Sequence, residues 1–380
     1  MDLAFVRGCA VDNLLALEAR GGLRWSKATW ETPGAGARFR LLKLASFGEP
    51  PVRWFSQVDP AAPGLDPVFR LSERALRAGS RLAGVALPAP EHAPVGDPAA
   101  AVRWLQEELA AGGTPFLFTF PSSAIGLCRA ALEAAVDLTG AQLTLAGEPI
   151  TDARLALLRQ TGARAVPRYG TIETGPIGYG CLDPVAADDV HLLDDLHALV
   201  QPAAGTAGNG LPPTALLVTA LHPAAPFVML NVSLGDQAEI VRRSCGCPME
   251  RHGWAFHLHS IRSFEKLSVG GMTFLDAGLV RVLEEVLPHT FGGAPTDYQL
   301  LEEEEDGGTQ LLRLLVHPRI CVDADAVADT FIAALGATPA RTRMIEEAWR
   351  DAARFRVERA APLSTRSGKI LHLHAGREER

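Results

Sequence analysis

At about 150 residues per domain, the 380 residues of this chain predict two domains of unequal size. The 36 Lys and Arg against 44 Asp and Glu give a net charge of −8, which leaves no basic excess to neutralise a phosphate backbone and argues against nucleic acid as a main partner. Apolar residues make up 47%, enough for a large buried core.

Met1-Asp2-Leu3-Ala4-Phe5 lacks the basic-then-apolar order of a secretory signal. The two long stretches free of charged residues are interrupted by prolines, at Pro115 and Pro121 and again at Pro202, Pro212, Pro213, Pro223 and Pro226. Neither offers the ~20 consecutive apolar residues that span a bilayer, so the expectation is a soluble cytoplasmic protein with no membrane partner.

The first hundred residues mix short apolar runs with loops rich in Pro, Gly and Ala, and their architecture is not specified. From Ala99 the pattern sharpens. Residues 100–110 predict a helix, 115–120 a buried strand, 123–138 a helix and 142–146 a strand. A helix over 152–162, capped by Thr151, leads to a strand near 165–168. This alternation predicts a parallel α/β sheet, whose ligands sit outside the carboxyl ends of the strands. Two loops are expected there, Gly147-Glu148-Pro149 and the segment from Tyr169 to Gly175.

Beyond Gly180 the pattern turns to strands, with apolar runs at 216–218 and 227–230, the second closed by Gly235-Asp236. From Leu267 to Phe274 a short strand is expected, then a helix over 277–287, two strands about Asp306-Gly307-Gly308, and helices over 327–335 and 343–355. The fold class is therefore a large N-terminal α/β domain with mixed sheets, residues 1–262, plus a small mobile α+β C-terminal domain, residues 267–380. The hinge is expected at 263–266.

Only four lysines occur, Lys27, Lys43, Lys266 and Lys369, and the last follows a small flexible turn, Ser364-Thr365-Arg366-Ser367-Gly368. An ammonium there can act as a mobile point charge in a neighbouring cleft. The six cysteines are too few and scattered for a disulfide framework.

The segment Pro362-Leu363-Ser364-Thr365-Arg366-Ser367-Gly368-Lys369 resembles the terminal lysine motif of the adenylate-forming superfamily, which comprises acyl-CoA synthetases, nonribosomal adenylation domains and luciferases. Four further stretches match in the same order. Ala146-Gly147-Glu148-Pro149 is similar to the adenine loop, and Tyr169-Gly170-Thr171-Ile172-Glu173 to the Tyr-Gly-x-Thr-Glu motif. Leu234-Gly235-Asp236 is similar to the Thr-Gly-Asp motif, and Ile261-Arg262 to the Gly-Arg before the hinge. The wording Gly-Glu-Pro-Ile-Thr and the later Cys-x-Cys resemble the phenylacetate-CoA ligase-like branch. The resemblance covers about Phe116 to Lys369.

It implies ATP-dependent activation of a carboxylic acid as an acyl adenylate, followed by transfer to a thiol, on CoA or a carrier protein, or to an amine. Gly147, Glu148 and Pro149 would border the adenine, Tyr169 would stack on it, and Gly170 would let backbone approach. Asp236 would accept the ribose hydroxyls and Thr171 would donate to the α-phosphate. Glu173 would hold Mg²⁺, while Arg262 and Lys369 would offset charge on the α-phosphoryl group as pyrophosphate leaves.

Several features depart from the pattern. The Ser/Thr/Gly-rich phosphate loop has no good counterpart, the nearest being Ala45-Ser46-Phe47-Gly48-Glu49-Pro50 with Lys43 upstream, which reads better as an ordinary connection. The segment before Phe116 is shorter than in full-length relatives, implying a reduced N-terminal subdomain. Ile172 takes a usual hydroxyl position, and Asn231 lies where relatives carry an Arg-Tyr pair. A degenerate relative that binds nucleotide or a partner without catalysis is therefore the alternative.

Separately, Cys181, His191, Cys245 and Cys247 have the ligand types of a closed structural zinc site, with His257 and His259 as substitutes for His191. A zinc-dependent hydrolase ranks last, because no open coordination position or nearby base is indicated.

Overall fold

The computed structural model describes residues 3–31, 34–46, 50–61, 67–171, 173–202, 211–263, 268–269, 272–273, 277–305, 309–336, 355–365 and 368–375. It falls into two compact units, Met1–Arg262 with Arg366–Gly368, and Ser263–Thr365 with Lys369–Arg380. Residues 264–266 of the expected hinge, the Asp306-Gly307-Gly308 turn, and the predicted helix over 343–355 up to residue 354 lie outside the described residues.

The first unit opens with three helix-strand pairs that the sequence pattern leaves unassigned: α1 (Leu3–Ala19), β1 (Ser26–Glu31), α2 (Ala35–Ser46), β2 (Arg53–Ser56), α3 (Pro67–Leu82) and β3 (Pro90–His92). Next come α4 (Ala99–Ala110), β4 (Pro115–Thr119), α5 (Pro121–Glu133), β5 (Gln142–Ala146), α6 (Asp152–Arg159) and β6 (Arg164–Thr171). These six strands pair in parallel in the order β3-β2-β1-β4-β5-β6. Every residue of β4, Pro-Phe-Leu-Phe-Thr, is buried, as a central parallel strand covered on both faces requires.

At β6 the pairing changes sense. The antiparallel half contains β7 (Gly175–Gly180), β8 (Val190–Leu192), β9 (His197–Val200), β10 (Ala215–Ala220), β11 (Val232–Arg242) and β12 (Phe256–Ser263). It continues the same sheet in the order β6-β7-β8-β12-β11-β10-β9. Ile177, Val190, Leu192, Leu216, Ala238 and Leu258 form its core, with Tyr169 packed against them. Among the described residues no helix is long and apolar enough to cross a membrane.

Several predicted bounds shift for local reasons. The helix expected to reach Leu138 stops at Glu133, because Ala135 turns left-handed (φ 53°) and the Val136 N–H closes back on the Ala131 carbonyl at 2.8 Å. The helix capped by Thr151, whose hydroxyl accepts from the Arg154 N–H at 3.3 Å, ends at Arg159 in tight turns up to Gly162. The apolar run 227–230 is not a strand. Phe227 is 54% exposed and Val228 fully so, and β11 begins only after Asn231 (φ 52°). Gly235-Asp236 accordingly lies within β11 instead of closing a strand.

The second unit opens with a small antiparallel pair, β13 (Ser268–Val269) and β14 (Met272–Thr273), where one strand was expected. A helix follows through α7 (Ala277–Arg281), a π turn (Val282–Val286) and α8 (Leu287–Phe291). A four-stranded sheet, in the order β17-β16-β15-β18, is built from β15 (Tyr298–Glu305), β16 (Thr309–Val316), β17 (Phe355–Glu358) and β18 (Leu373–Ala375), with α9 (Ala324–Gly336) between β16 and β17. Leu283, Leu300, Leu314, Val327, Phe331 and Phe355 share one core, so this unit has an apolar interior of its own.

One buried acid in α1 makes stability depend on pH. Asp12 is 3% exposed and its Oδ2 has no hydrogen-bond partner. Burial, then the Asp195 carboxylate, push it up to about 7 from 3.8, with Lys43 pulling the other way. The folded chain therefore holds a proton that the unfolded chain releases. The associated stability is fully present below about pH 4 and is lost as pH rises through about 7. Asp12→Asn should remove this loss. Urea midpoints at about pH 5 and about pH 8 are expected to differ by less in the variant than in the parent chain.

Candidate functional site

Two bulges bring the site together. In β11 the residues Leu234, Gly235 and Asp236 lie opposite Leu216 alone, since Leu217 pairs with Ser233 and Ala215 with Gln237. Gly235, buried and at φ 79°, supplies the left-handed step that the bulge needs. Across the sheet, Ile177 is the extra residue where the β6-β7 pairing shifts between Tyr169 and Gly170. A Cβ on Gly170 would lie 2.3 Å from the Gly175 carbonyl oxygen, so only glycine fits there. The result is a hydrogen bond from the Tyr169 hydroxyl to Asp236 Oδ2 at 2.9 Å, across 67 residues of sequence.

β6 and β11 are four strand steps apart in the sheet. At ~4.8 Å per step a flat sheet would hold them about 19 Å apart. The antiparallel half must curl back over the end of β6, and Tyr169 packs inside that curl. Burial, then the charge and hydrogen bond of Asp236, raise Tyr169 well above the usual phenol range, so its hydroxyl remains a donor. The sheet thus brings a phenol and a carboxylate from distant strands together at 2.9 Å.

The other expected residues take varied places. Tyr169–Thr171 is not a loop but the end of β6, and with Gly175 it forms a hairpin. Thr171 and Thr174 close its tip, their hydroxyls 3.0 Å apart and each accepting the other's N–H. Glu173 stands exposed on that tip, while Ile172 lies outside the described residues.

Gly147 takes φ 87° at the end of β5, and the loop it begins is anchored by Glu148. That carboxylate accepts the Ser122 N–H at 3.0 Å and hydroxyl at 2.6 Å, and pairs with Arg154 Nη1 at 3.0 Å. It thereby serves the exposed N–H groups at the start of α5, where Phe120 offers no side-chain cap. Arg154 also reaches the Pro149 carbonyl at 3.2 Å. Glu148 is thus a brace for the loop and faces the helix, not an open cleft.

Arg262 Nη1 pairs with Asp188 at 2.9 Å, and the same carboxylate takes the Ser260 and Ile261 N–H groups at 3.0 and 2.6 Å. Asn231 is exposed and bonded to Thr219. Ala45 and Ser46 finish α2, so Lys43 sits in a buried helix instead of a phosphate-binding loop, and residues 47–49 lie outside the described set. Lys369 belongs to the second unit and ends a turn in which its carbonyl accepts the Thr365 N–H at 2.8 Å and its own N–H reaches the Thr365 hydroxyl at 3.2 Å. Gly368 takes φ 79° in that turn.

Away from Tyr169, one donor atom each of Cys181, His191, Cys245 and Cys247 lies within 4.8 Å of all the others. His191 Nε2 is 3.2 Å from Cys247 Sγ and 3.6 Å from Cys245 Sγ, close to the edges of a tetrahedron with bonds of about 2.0–2.3 Å. His191 Nδ1 is 2.7 Å from the Trp254 carbonyl, so its N–H donates there and Nε2 turns its lone pair to the thiols. Burial holds this imidazole below its usual pKa, hence neutral.

Of the expected substitutes, His257 faces Asp189 at 2.8 Å, and His259 contacts Ser260. Asp189 also binds Arg243 at 2.6 Å. Burial alone would raise this carboxyl, but hydrogen bonds from His257, the Val185 N–H and Arg243 hold it low. Arg243 in turn lies 3.4 Å from Cys181 Sγ. Asp188, Asp189 and Arg154 were not singled out from sequence. The signal for the first two was an acidic doublet between two candidate ligands.

No family model matches this sequence, and no curated protein matches it. Solved structures do. An O-succinylbenzoate coenzyme A synthetase from Bacillus subtilis, in complex with ATP and magnesium ion, matches 98% of this chain at 14% identity and TM-score 0.50. A 2-hydroxyisobutyryl-CoA ligase in complex with 2-HIB-AMP and CoA covers 91% at 13% identity and TM-score 0.45. An acyl-CoA synthetase/AMP-acid ligase II-like protein from Dyadobacter fermentans covers 97% at 16% and 0.36. The chain spans 65% of the length of the first and 66% of the second. Its fold, a large mixed sheet and a separate small sheet, is similar to that of the first of these structures, the O-succinylbenzoate coenzyme A synthetase, and the likeness is one of fold.

The brace at the loop after β5 can be tested directly. Glu148→Ala would leave Arg154, whose side chain is 2% exposed, without its charged partner. We expect a loss of about 3–5 kcal/mol in urea denaturation, and a much smaller loss in a variant altered at the exposed Glu173.

Proposed function

We propose that this chain binds ATP at the Tyr169–Asp236 lip and activates a carboxylic acid as its acyl adenylate, then passes the acyl group to a thiol or an amine. The observation that carries this reading is the 2.9 Å contact between Tyr169 and Asp236. Two residues from separately matched motifs, with no reason in the chain's local structure to meet, share one lip. In this reading the adenine lies against the Tyr169 ring, Asp236 accepts the ribose hydroxyls, and Gly170 lets backbone approach the nucleotide. Thr171 borders the α-phosphate and the exposed Glu173 supplies a hard oxygen to Mg²⁺. A substrate carboxylate oxygen would attack the α-phosphorus while pyrophosphate leaves, and Lys369 would offset the charge that builds there. The ATP and magnesium ion bound to the O-succinylbenzoate coenzyme A synthetase of similar fold support the nucleotide part of this chemistry by analogy of fold.

Pyrophosphate exchange with a panel of carboxylic acids tests the proposal. With an accepted acid, exchange should fall by about a hundredfold or more in Lys369→Ala, and Asp236→Ala should raise the KM for ATP about tenfold. Because Arg262 is paired with Asp188, a nucleotide binder without catalysis is the competing reading. ATP binding that depends on Asp236 but brings no exchange with any acid would establish that one and overturn the ligase.

We further propose that Cys181, His191, Cys245 and Cys247 hold a structural zinc ion. Four donors close the coordination shell, so it would brace β7, β8 and the end of β11 and leave no position for a substrate. Arg243 beside Cys181 would compensate the charge of three thiolates. Elemental analysis of the purified chain should find about one equivalent of zinc. Cys247→Ser should lose the metal and melt at a lower temperature, and metal-free protein with an unchanged melting point in that variant would refute the site.

A further inference from the structure

On the face of the sheet covered by α1 and α2 lies a second concavity, lined by Arg20, Arg40, Lys43 and Arg168 with walls that include Phe118 and Tyr179. Its enclosed space is about 30 Å³, room for about two water-sized groups and so for a single small polar group, not for a whole drug-sized ligand. Arg168 and Tyr169 are successive residues of β6 and leave opposite faces of the strand, so this cavity is separate from the Tyr169–Asp236 lip.

The four cations are unequally matched. Arg40 is paired in bidentate fashion with Glu31, at 2.7 and 3.1 Å, and lies over the Phe118 ring. Arg20 bonds only neutral oxygens, Thr144 Oγ1 at 2.9 Å and Gln142 Oε1 at 3.3 Å. Lys43 is 3% exposed, and among the described residues its ammonium has no hydrogen-bond partner, only the Phe39 ring at 4.9 Å. Arg168 is half-buried: among the described residues its Nε has no hydrogen-bond partner, while its guanidinium interacts with the Tyr179 hydroxyl and lies 5.7 Å from that ring. A buried cation is costly unless it is paired and hydrogen-bonded. Of the carboxyl groups near Lys43, Glu31 is taken by Arg40, and Asp12, which Lys43 pulls downward, is raised by burial to about 7 and so is largely protonated below that pH.

We propose that this cavity binds the carboxylate or phosphate group of a compact ligand, held by Lys43 and Arg168. An oxyanion has acceptors for both donors, and apolar walls of aromatic rings would strengthen the pairing by excluding water. Burial, then Arg168 and Arg40, lower Lys43 well below the ordinary lysine range, and an anion between these groups would reverse the two charge effects. Lys43 is also one of only four lysines in the chain.

The test is calorimetric titration and thermal unfolding of the full chain with inorganic phosphate and with benzoate, at ionic strength held constant with chloride. We expect saturable binding of at least one of them, weakened about tenfold or more in Lys43→Met and in Arg168→Met. Binding of phosphate alone would identify a phosphoryl ligand, and of benzoate alone a carboxylate. Without anion, Lys43→Met should melt no lower than the parent chain, since it removes a buried amino group that has no hydrogen-bond partner among the described residues. Should it fail to fold, Arg168→Met alone decides. The proposal fails if neither anion binds, or if binding is unchanged in the folded variants, which would place the anion elsewhere. Neither result bears on pyrophosphate exchange, which depends on other residues.

Discussion

The curl of the antiparallel half over the end of β6 is the constraint on which the functional geometry depends. A sheet laid flat would keep Tyr169 and Asp236 about 19 Å apart. The twist of the strands, the two bulges and the small residues Gly170, Gly178 and Gly235 let it close until the two touch. Gly178 shows how tight the closure is, since a Cβ there would meet Val190 Cγ2 at 2.6 Å. The apolar interior of the curl, from Ile177 to Leu258, provides the burial that holds it shut.

Buried charge is then handled in two different ways. Glu148, Asp188 and Asp189 each take several donors, from arginine, histidine or backbone N–H groups, and each ties a loop to a regular element. These carboxylates are satisfied, so they specify geometry and offer little further chemistry. Lys43 stands apart because its burial is not matched by a hydrogen-bond partner among the described residues. An unmet electrostatic demand inside a concavity is a reason to look for a ligand, whereas a met one is a reason to look for a structural role.

Some of this was legible before folding was considered. The strands and helices from Ala99 to Arg168 follow from apolar runs and turn residues, and the Thr151 cap sits where its hydroxyl suggests. The first three helix-strand pairs were not legible, because β1 carries Lys27 and Glu31 at buried positions and resembles a solvated segment. Their burial is offset by partners that the apolar pattern does not reveal: Lys27 donates to the Leu23 carbonyl at 2.7 Å and Glu31 pairs with Arg40. The run 227–230 misled in the opposite sense. It is apolar yet exposed, and hydrophobicity alone does not specify a strand where prolines and Asn231 break the ladder.

By itself the sequence determined the chemistry on offer: a tyrosine, an aspartate, a lysine after a flexible turn, three cysteines and a histidine, each in a recognisable local setting. Local setting is carried by neighbours within a few residues, so it survives without a fold. Only tertiary structure decided which of these groups are engaged and with what. Glu148 and Arg262 turned out to be bound to Arg154 and Asp188, and Lys43 to face a cavity with Arg168. Such pairings depend on strand order, bulges and the curl of the sheet, which bring together residues separated by tens to more than a hundred positions and leave no trace in the spacing of either partner.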